Sequence, residues 1–141
     1  MTKENAENSY LYTKSIVKPK NPEDQKRISV MSRHTLNDGK TPDARIIDGE
    51  TFDEWLKDFA PPSKLVGAYY RKEIQWEEFE QKYLEFLRSA ETQPKVESFA
   101  KRCTEETITL MCIEDDPTHC HRRLLAEELQ RYQPHLKIIH N

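Results

Sequence analysis

The stretch Thr107-Ile108-Thr109-Leu110-Met111-Cys112-Ile113-Glu114-Asp115-Asp116-Pro117 decides the fold. Its first seven residues are β-branched or apolar without clean alternation. That is the pattern of a strand covered on both faces, as in a parallel sheet. Glu114-Asp115-Asp116-Pro117 ends the strand. Leu124, Leu125, Leu129 and Tyr132 then mark a helix from about 117 to 132, and Pro134 stops it before a last strand, Leu136-Lys137-Ile138-Ile139-His140. Strand, loop, helix and strand in that order favour a right-handed parallel crossover.

Working outward, Arg27-Ile28-Ser29-Val30-Met31-Ser32 alternates apolar and polar and reads as a second strand. Tyr10 to Val17 alternates only loosely, ends at Pro19 and reads as a weak strand. Residues 35–50 carry Asn37-Asp38-Gly39, Thr41-Pro42-Asp43 and Asp48-Gly49, a loop of unusual length for a compact domain. The middle of the chain is helical in period. Phe52, Trp55, Leu56 and Phe59 predict a helix that Pro61-Pro62 stops, and Ser63 is placed to cap the next, with Leu65, Val66, Tyr69 and Tyr70. Trp76, Phe79, Tyr83, Phe86 and Leu87 form the strongest apolar stripe, and Val96, Phe99, Ala100 and Cys103 predict a further helix after Pro94.

The expected fold is therefore a single α/β domain over residues 10–141, preceded by a disordered tail at residues 1–9. A small, mostly parallel sheet with strands near 27–32, 107–113 and 136–140 is covered by helices, with an aromatic-rich helical middle segment. That segment is also where a homodimer contact is expected.

Composition narrows the function classes. The chain has 141 residues, 33% charged and 35% hydrophobic, with a net charge of −3 at pH 7. A chain so balanced is no bulk nucleic-acid coat, so an anion site must be local. The three glycines, Gly39, Gly49 and Gly67, stand too far apart for either glycine-rich nucleotide cradle. No apolar run is long enough to span a membrane, and Met1 to Asn8 lacks the apolar core of a signal peptide. The expected location is the cytoplasm, where three cysteines do not make a disulfide framework.

Chemistry concentrates between residues 112 and 123. Asp116 or Thr118 is placed to cap a helix with Pro117 in its first turn, which puts His119, Cys120 and His121 at or near the helix N-terminus. Unpaired N–H groups and the helix dipole favour anions there, and they favour a cysteine thiolate. Arg122 and Arg123 add positive charge. Cys112 and Glu114 stand at the carboxyl end of a strand, the edge of parallel sheets where ligands bind. Arg33 and His34 follow the strand at 27–32 and reach the same rim if the two strands are parallel neighbours. The candidate catalytic residues are Cys120, His121 and Glu114, and the candidate ligand-binding residues are Arg122, Arg33, His34 and Cys112. Cys112-x7-Cys120 is not a zinc-knuckle spacing, and adjacent residues of one helical turn cannot all face one ion. Neither a metal nor a cofactor is expected.

The pattern Cys112-x-Glu114-x-x-Pro117-x-x-Cys120-His121-Arg122, followed by Leu124-Leu125-Ala126, resembles the C-terminal signature of the YeaO-type proteins, an uncharacterised bacterial and archaeal family. The middle is similar too, in Trp55-Leu56-Lys57-Asp58-Phe59-Ala60-Pro61, Trp76-Glu77-Glu78-Phe79 and Tyr83. The resemblance covers roughly residues 27–140. It implies a small α/β protein with the Cys-His-Arg block as its active site, and no particular reaction. Arg33-His34-Thr35-Leu36 departs from the family's first-strand pattern.

Together these readings point to an enzyme acting on an anionic small molecule, phosphate- or carboxylate-bearing, at the Cys-His-Arg block. The alternatives are a non-catalytic module for a nucleotide or nucleic-acid phosphate, and an interaction protein in which that block only braces the strand–helix junction.

Overall fold

A computed structural model describes residues 9–36 and 38–141. Five strands form one all-parallel sheet: β1 (Tyr10–Ser15), β2 (Lys26–Ser29), β3 (Glu54–Trp55), β4 (Ile108–Cys112) and β5 (Lys137–His140), in the spatial order β3-β2-β4-β1-β5. Among the described residues four helices accompany it: α1 (Ser63–Tyr70), α2 (Trp76–Leu87), α3 (Gln93–Glu105) and α4 (His121–Tyr132).

Every residue of β4 is buried, as its β-branched and apolar run predicts. Residues paired in register point to the same side of a sheet. Leu11 lies beside Ile108, and Ile28 beside Leu110. On that side they meet Phe79, Tyr83 and Leu87 of α2, Val96, Phe99 and Cys103 of α3, and Leu124, Leu125 and Leu129 of α4 in one buried cluster. The other side mixes polar residues with a smaller buried cluster that includes Ile16, Met31, Phe52 and Met111, and is covered by irregular chain. Lys14 there is buried against Asp24 at 2.8 Å and also donates to the Pro19 carbonyl, while Thr109 donates to the Asp24 carbonyl at 2.7 Å.

The loosely alternating stretch from Tyr10 is a strand as read, and an interior one, paired with β4 on one edge and β5 on the other. Three expectations need correction. The helix expected over Phe52–Phe59 is instead the edge strand β3 and a 3₁₀ turn at Lys57–Phe59. Asp53 N–H donates to the Arg27 carbonyl and Leu56 N–H to that of Ser29, so sheet pairing overrides the helical period. Ser63 is the first residue of α1, whose N-cap position is held by Pro62. The single helix expected from 117 is broken in two. Pro117–His119 forms a 3₁₀ turn capped by Asp116, Cys120 is extended, and α4 begins at His121.

Residues 1–8 of the expected tail lie outside the described residues. Ser9 is held by the sheet edge, its carbonyl accepting from Lys137 N–H at 3.0 Å and its hydroxyl donating to Thr104. None of the described helices is long and apolar enough to cross a membrane.

Candidate functional site

Strands β1, β2 and β4 all end at one edge of the sheet, and a cavity of about 290 Å³ opens there. It has two walls. One is the segment after β2, contributing Met31, Ser32, Arg33, Leu36 and the Asp43–Arg45 ion pair. The other is aromatic: Tyr69 and Tyr70 from α1, Trp76 and Phe79 from α2, and His119, whose ring stacks on Trp76 at 4.9 Å. The floor is Cys112, Cys120 and His121.

These three come together because of the break in the helix. Cys112 ends β4. Cys120 has an extended backbone (φ −136°, ψ 138°) and His121 is the first helical residue, so two neighbours in sequence present their side chains to one point. Their candidate ligand atoms, the two Sγ and a ring nitrogen, all lie within 4.8 Å of one another. All three side chains are buried, with Cys112 4%, Cys120 2% and His121 8% exposed. His121 Nε2 donates to the Val30 carbonyl at 2.7 Å. A carbonyl can only accept, so in the neutral ring Nδ1 carries the lone pair, and it faces Cys112 Sγ at 3.6 Å.

The two thiols are unlike. A hydrogen bond from the Cys120 thiol lowers the Cys112 pKa against the opposing effect of burial, helped by the Glu114 N–H, the Arg122 charge and the Ile113 N–H. Burial pushes Cys120 up, and its bond to Cys112 adds to that. At Cys120, desolvation outweighs the positive charge of His121 and Arg122 that would favour its thiolate.

Arg122 is wholly buried and does not line the cavity. Its guanidinium donates to the carbonyls of Glu114 and Asp115, holding the strand–helix loop from behind, and Nη1 also reaches Cys120 Sγ at 3.4 Å. Its Nε has no partner, and no carboxylate of the described residues pairs with it. Glu114 lines the cavity, where its carboxylate accepts from the Tyr70 hydroxyl at 2.9 Å. Burial, then the Glu114 charge, raises the Tyr70 pKa.

Arg33 also faces the cavity. Gly39, at φ +75°, packs against its guanidinium so closely that a Cβ would fall 2.8 Å from Nη1. His34 points away. Its ring stacks on Trp55 and its Nε2 meets the Ser29 hydroxyl at 2.7 Å. Of the sequence candidates, then, Cys112, Glu114, Cys120, His121 and Arg33 share one cavity, Arg122 stands behind it, and His34 is elsewhere.

This chain belongs to the DUF488-N3a family. The family is a domain of unknown function described as the active DUF488-N3 subclade, and its profile matches residues 11–133, from β1 through the end of α4. The match is consistent with the YeaO-type resemblance, which rests on Cys112, Glu114, Pro117, Cys120, His121 and Arg122 within the same span. No curated protein and no solved structure matches the chain.

The aromatic wall escaped the sequence reading. Trp76 and Phe79 carry the helical spacing of core residues, and that spacing is identical for a face lining a cavity. The adjacent Tyr69-Tyr70 pair was the available signal, because two bulky polar-tipped rings at one helix end cannot both pack inward.

Proposed function

We propose that this protein is an enzyme acting on a small anionic ligand, phosphate- or carboxylate-bearing, with Cys112 as its nucleophile. The observation that carries this reading is the contact between Cys112 Sγ and His121 Nδ1 at 3.6 Å on the floor of the cavity. A thiol beside an imidazole that is itself oriented by a third group, here the Val30 carbonyl, is the arrangement that activates cysteine nucleophiles. The description of the family as the active subclade agrees with an enzyme.

In this reading the Cys112 sulfur bonds to an electrophilic carbon of the ligand while His121 Nδ1 takes the thiol proton. The leaving group departs with that proton. Water then attacks the sulfur-linked carbon, giving a proton to His121, and the bond to sulfur breaks as the thiol is reprotonated. Arg33, which has no carboxylate partner within ion-pairing distance among the described residues, holds the anionic group. Tyr70, whose hydroxyl donates to Glu114, presents its ring and its oxygen as an acceptor on the opposite wall. Cys120 is a positioning residue that donates to the Cys112 sulfur.

The test is labelling of the native protein with iodoacetamide, followed by peptide mapping. Cys112 is expected to react first and Cys103 last, and inorganic phosphate or a nucleoside monophosphate is expected to slow Cys112. His121→Gln should slow that reaction by about tenfold or more, within the contribution of a positioned base. A Cys112 that stays unlabelled while another cysteine reacts, or that ignores both anions, overturns the reading.

A further inference from the structure

We infer that Cys112, Cys120 and His121 form a three-donor site for a soft divalent cation of the zinc class, with its fourth position open to the cavity. The sequence spacing hides such a site because its donors come from a strand end, an extended residue and the first residue of a helix, and not from a knuckle.

The geometry is that of a tetrahedral centre. Zinc bonds of about 2.3 Å to sulfur and about 2.0 Å to nitrogen place the two donor atoms about 3.5 Å apart at the tetrahedral angle. Cys112 Sγ and His121 Nδ1 stand 3.6 Å apart, and the Cys120 sulfur lies within 4.8 Å of both.

The surroundings suit a metal as well. A metal-bound histidine usually donates its other N–H to a carbonyl or carboxylate, which fixes the ring, and His121 Nε2 already does so to Val30. The guanidinium of Arg122, buried without a carboxylate, lies 3.4 Å from Cys120 Sγ and supplies a hydrogen bond to a ligating thiolate. Two sulfurs and an imidazole select zinc-class ions over magnesium or calcium, which take oxygen. Three protein ligands leave a position for water or for the ligand's anionic group, and all three line the cavity.

Metal at this site occupies the one lone pair of His121 Nδ1, the base that the proposed chemistry needs, and draws electron density from the Cys112 sulfur. The loaded protein is therefore the form in which Cys112 does not attack. Only this consequence rests on the nucleophile reading, since the site itself stands on the three donors.

The experiment is a titration of the full-length, reduced, chelator-treated protein with Co²⁺, followed by absorption spectroscopy. One equivalent should bind, with d–d bands of a tetrahedral ion and a near-ultraviolet thiolate-to-cobalt band, and Zn²⁺ should displace it. Cys112→Ser and Cys120→Ser should each remove about half of the charge-transfer intensity per bound metal. They should also weaken binding by more than the tenfold to hundredfold, in order of magnitude, that follows loss of a supporting group alone. Cys103→Ser should change neither. Wild-type protein that binds Co²⁺ no more tightly than Cys120→Ser, or without a thiolate band, overturns the site. In wild-type protein, Zn²⁺ should also block iodoacetamide labelling of Cys112, a readout that needs no variant to fold. If Cys112 labels in chelator with anion protection but no metal binds, this inference fails and the enzyme reading stands. If metal binds and metal-free Cys112 is inert, the reverse holds.

Discussion

The imidazole of His34 lies nearly flat on the indole of Trp55, with ring centroids 3.7 Å apart and planes inclined by 20°. Trp55 in turn donates from Nε1 to the Met31 carbonyl at 2.7 Å. This stack ties the start of the loop after β2 to the edge strand β3, and so supports the wall that carries Arg33.

The stack should make the protein acid-sensitive. Partial burial, and then the nearby charge of Lys57, lowers the His34 pKa from 6.5 to about 4, with Asp48 opposing. The unfolded chain therefore takes up a proton before the folded one does. Stability contributed by neutral His34 is complete above the unfolded value and falls as pH drops from about 6.5 toward about 4. Melting temperatures of wild type and His34→Gln, measured between pH 7 and pH 5, should show a shallower decline in the variant. Parallel declines would mean that His34 is not the titrating group.

Asp53 should matter more to the sheet edge than its partial exposure suggests. Its carboxylate takes three hydrogen bonds from Arg27, which is buried, and those bonds hold its pKa below the usual range. Asp53→Ala leaves a buried guanidinium with only the Glu50 carbonyl. Because Asp53 itself is about one-third exposed and screened, the expected loss is at most about 3 kcal/mol. Urea denaturation checks it, and an unchanged midpoint would count against the pair.

Arg122 is expected to behave as a brace. Arg122→Met strips the Glu114 and Asp115 carbonyls of their donor, at about 1–3 kcal/mol each, for a loss of about 2–6 kcal/mol. Arg122→Lys keeps the charge without the fork and should recover only part of this. Equal stability of Arg122→Lys and wild type in chemical denaturation would show that the forked contacts contribute nothing.

Phe79 belongs both to the core and to the aromatic wall. It touches Tyr69, Trp76 and Tyr83, and Phe79→Ala should cost about 3–5 kcal/mol. A near-zero cost by calorimetry would place the side chain outside the packed interior.

The parts of the fold legible in the sequence were those whose pattern is local. The run from Thr107 to Ile113 is apolar because β4 is covered on both faces, and Leu124, Leu125 and Leu129 repeat because α4 lies on the core. β1 read only as a weak strand, and its interior place was obscured by Lys14, whose burial depends on Asp24 ten residues away, a pairing that no window of alternation contains. Phe52, Trp55 and Phe59 carried a helical period but are divided among two clusters and a strand, since their partners are set by β2 and the loop around it.

The site was legible in composition and hidden in geometry. Cys112, Glu114, Cys120 and His121 stood out as residue types, and parallel pairing of β2 with β4 brought Arg33 to the same rim. The extended conformation at Cys120, which lets it converge with His121, follows from the 3₁₀ turn and is written in no periodicity. His34 was lost from the site because an aromatic partner in β3 captures it.

The sheet order also governs when the protein can come into being. Both neighbours of β1 lie in the C-terminal third of the chain, and β2 needs β4 to reach β1. As the chain leaves the ribosome, its first strand has nothing to pair with until residue 108 and beyond have emerged. Such distant pairings are slow to form and leave strand edges open in the meantime. Cys112, Cys120 and His121 belong to that same late segment, so a chain stalled before β4 carries neither the fold nor its reactive floor.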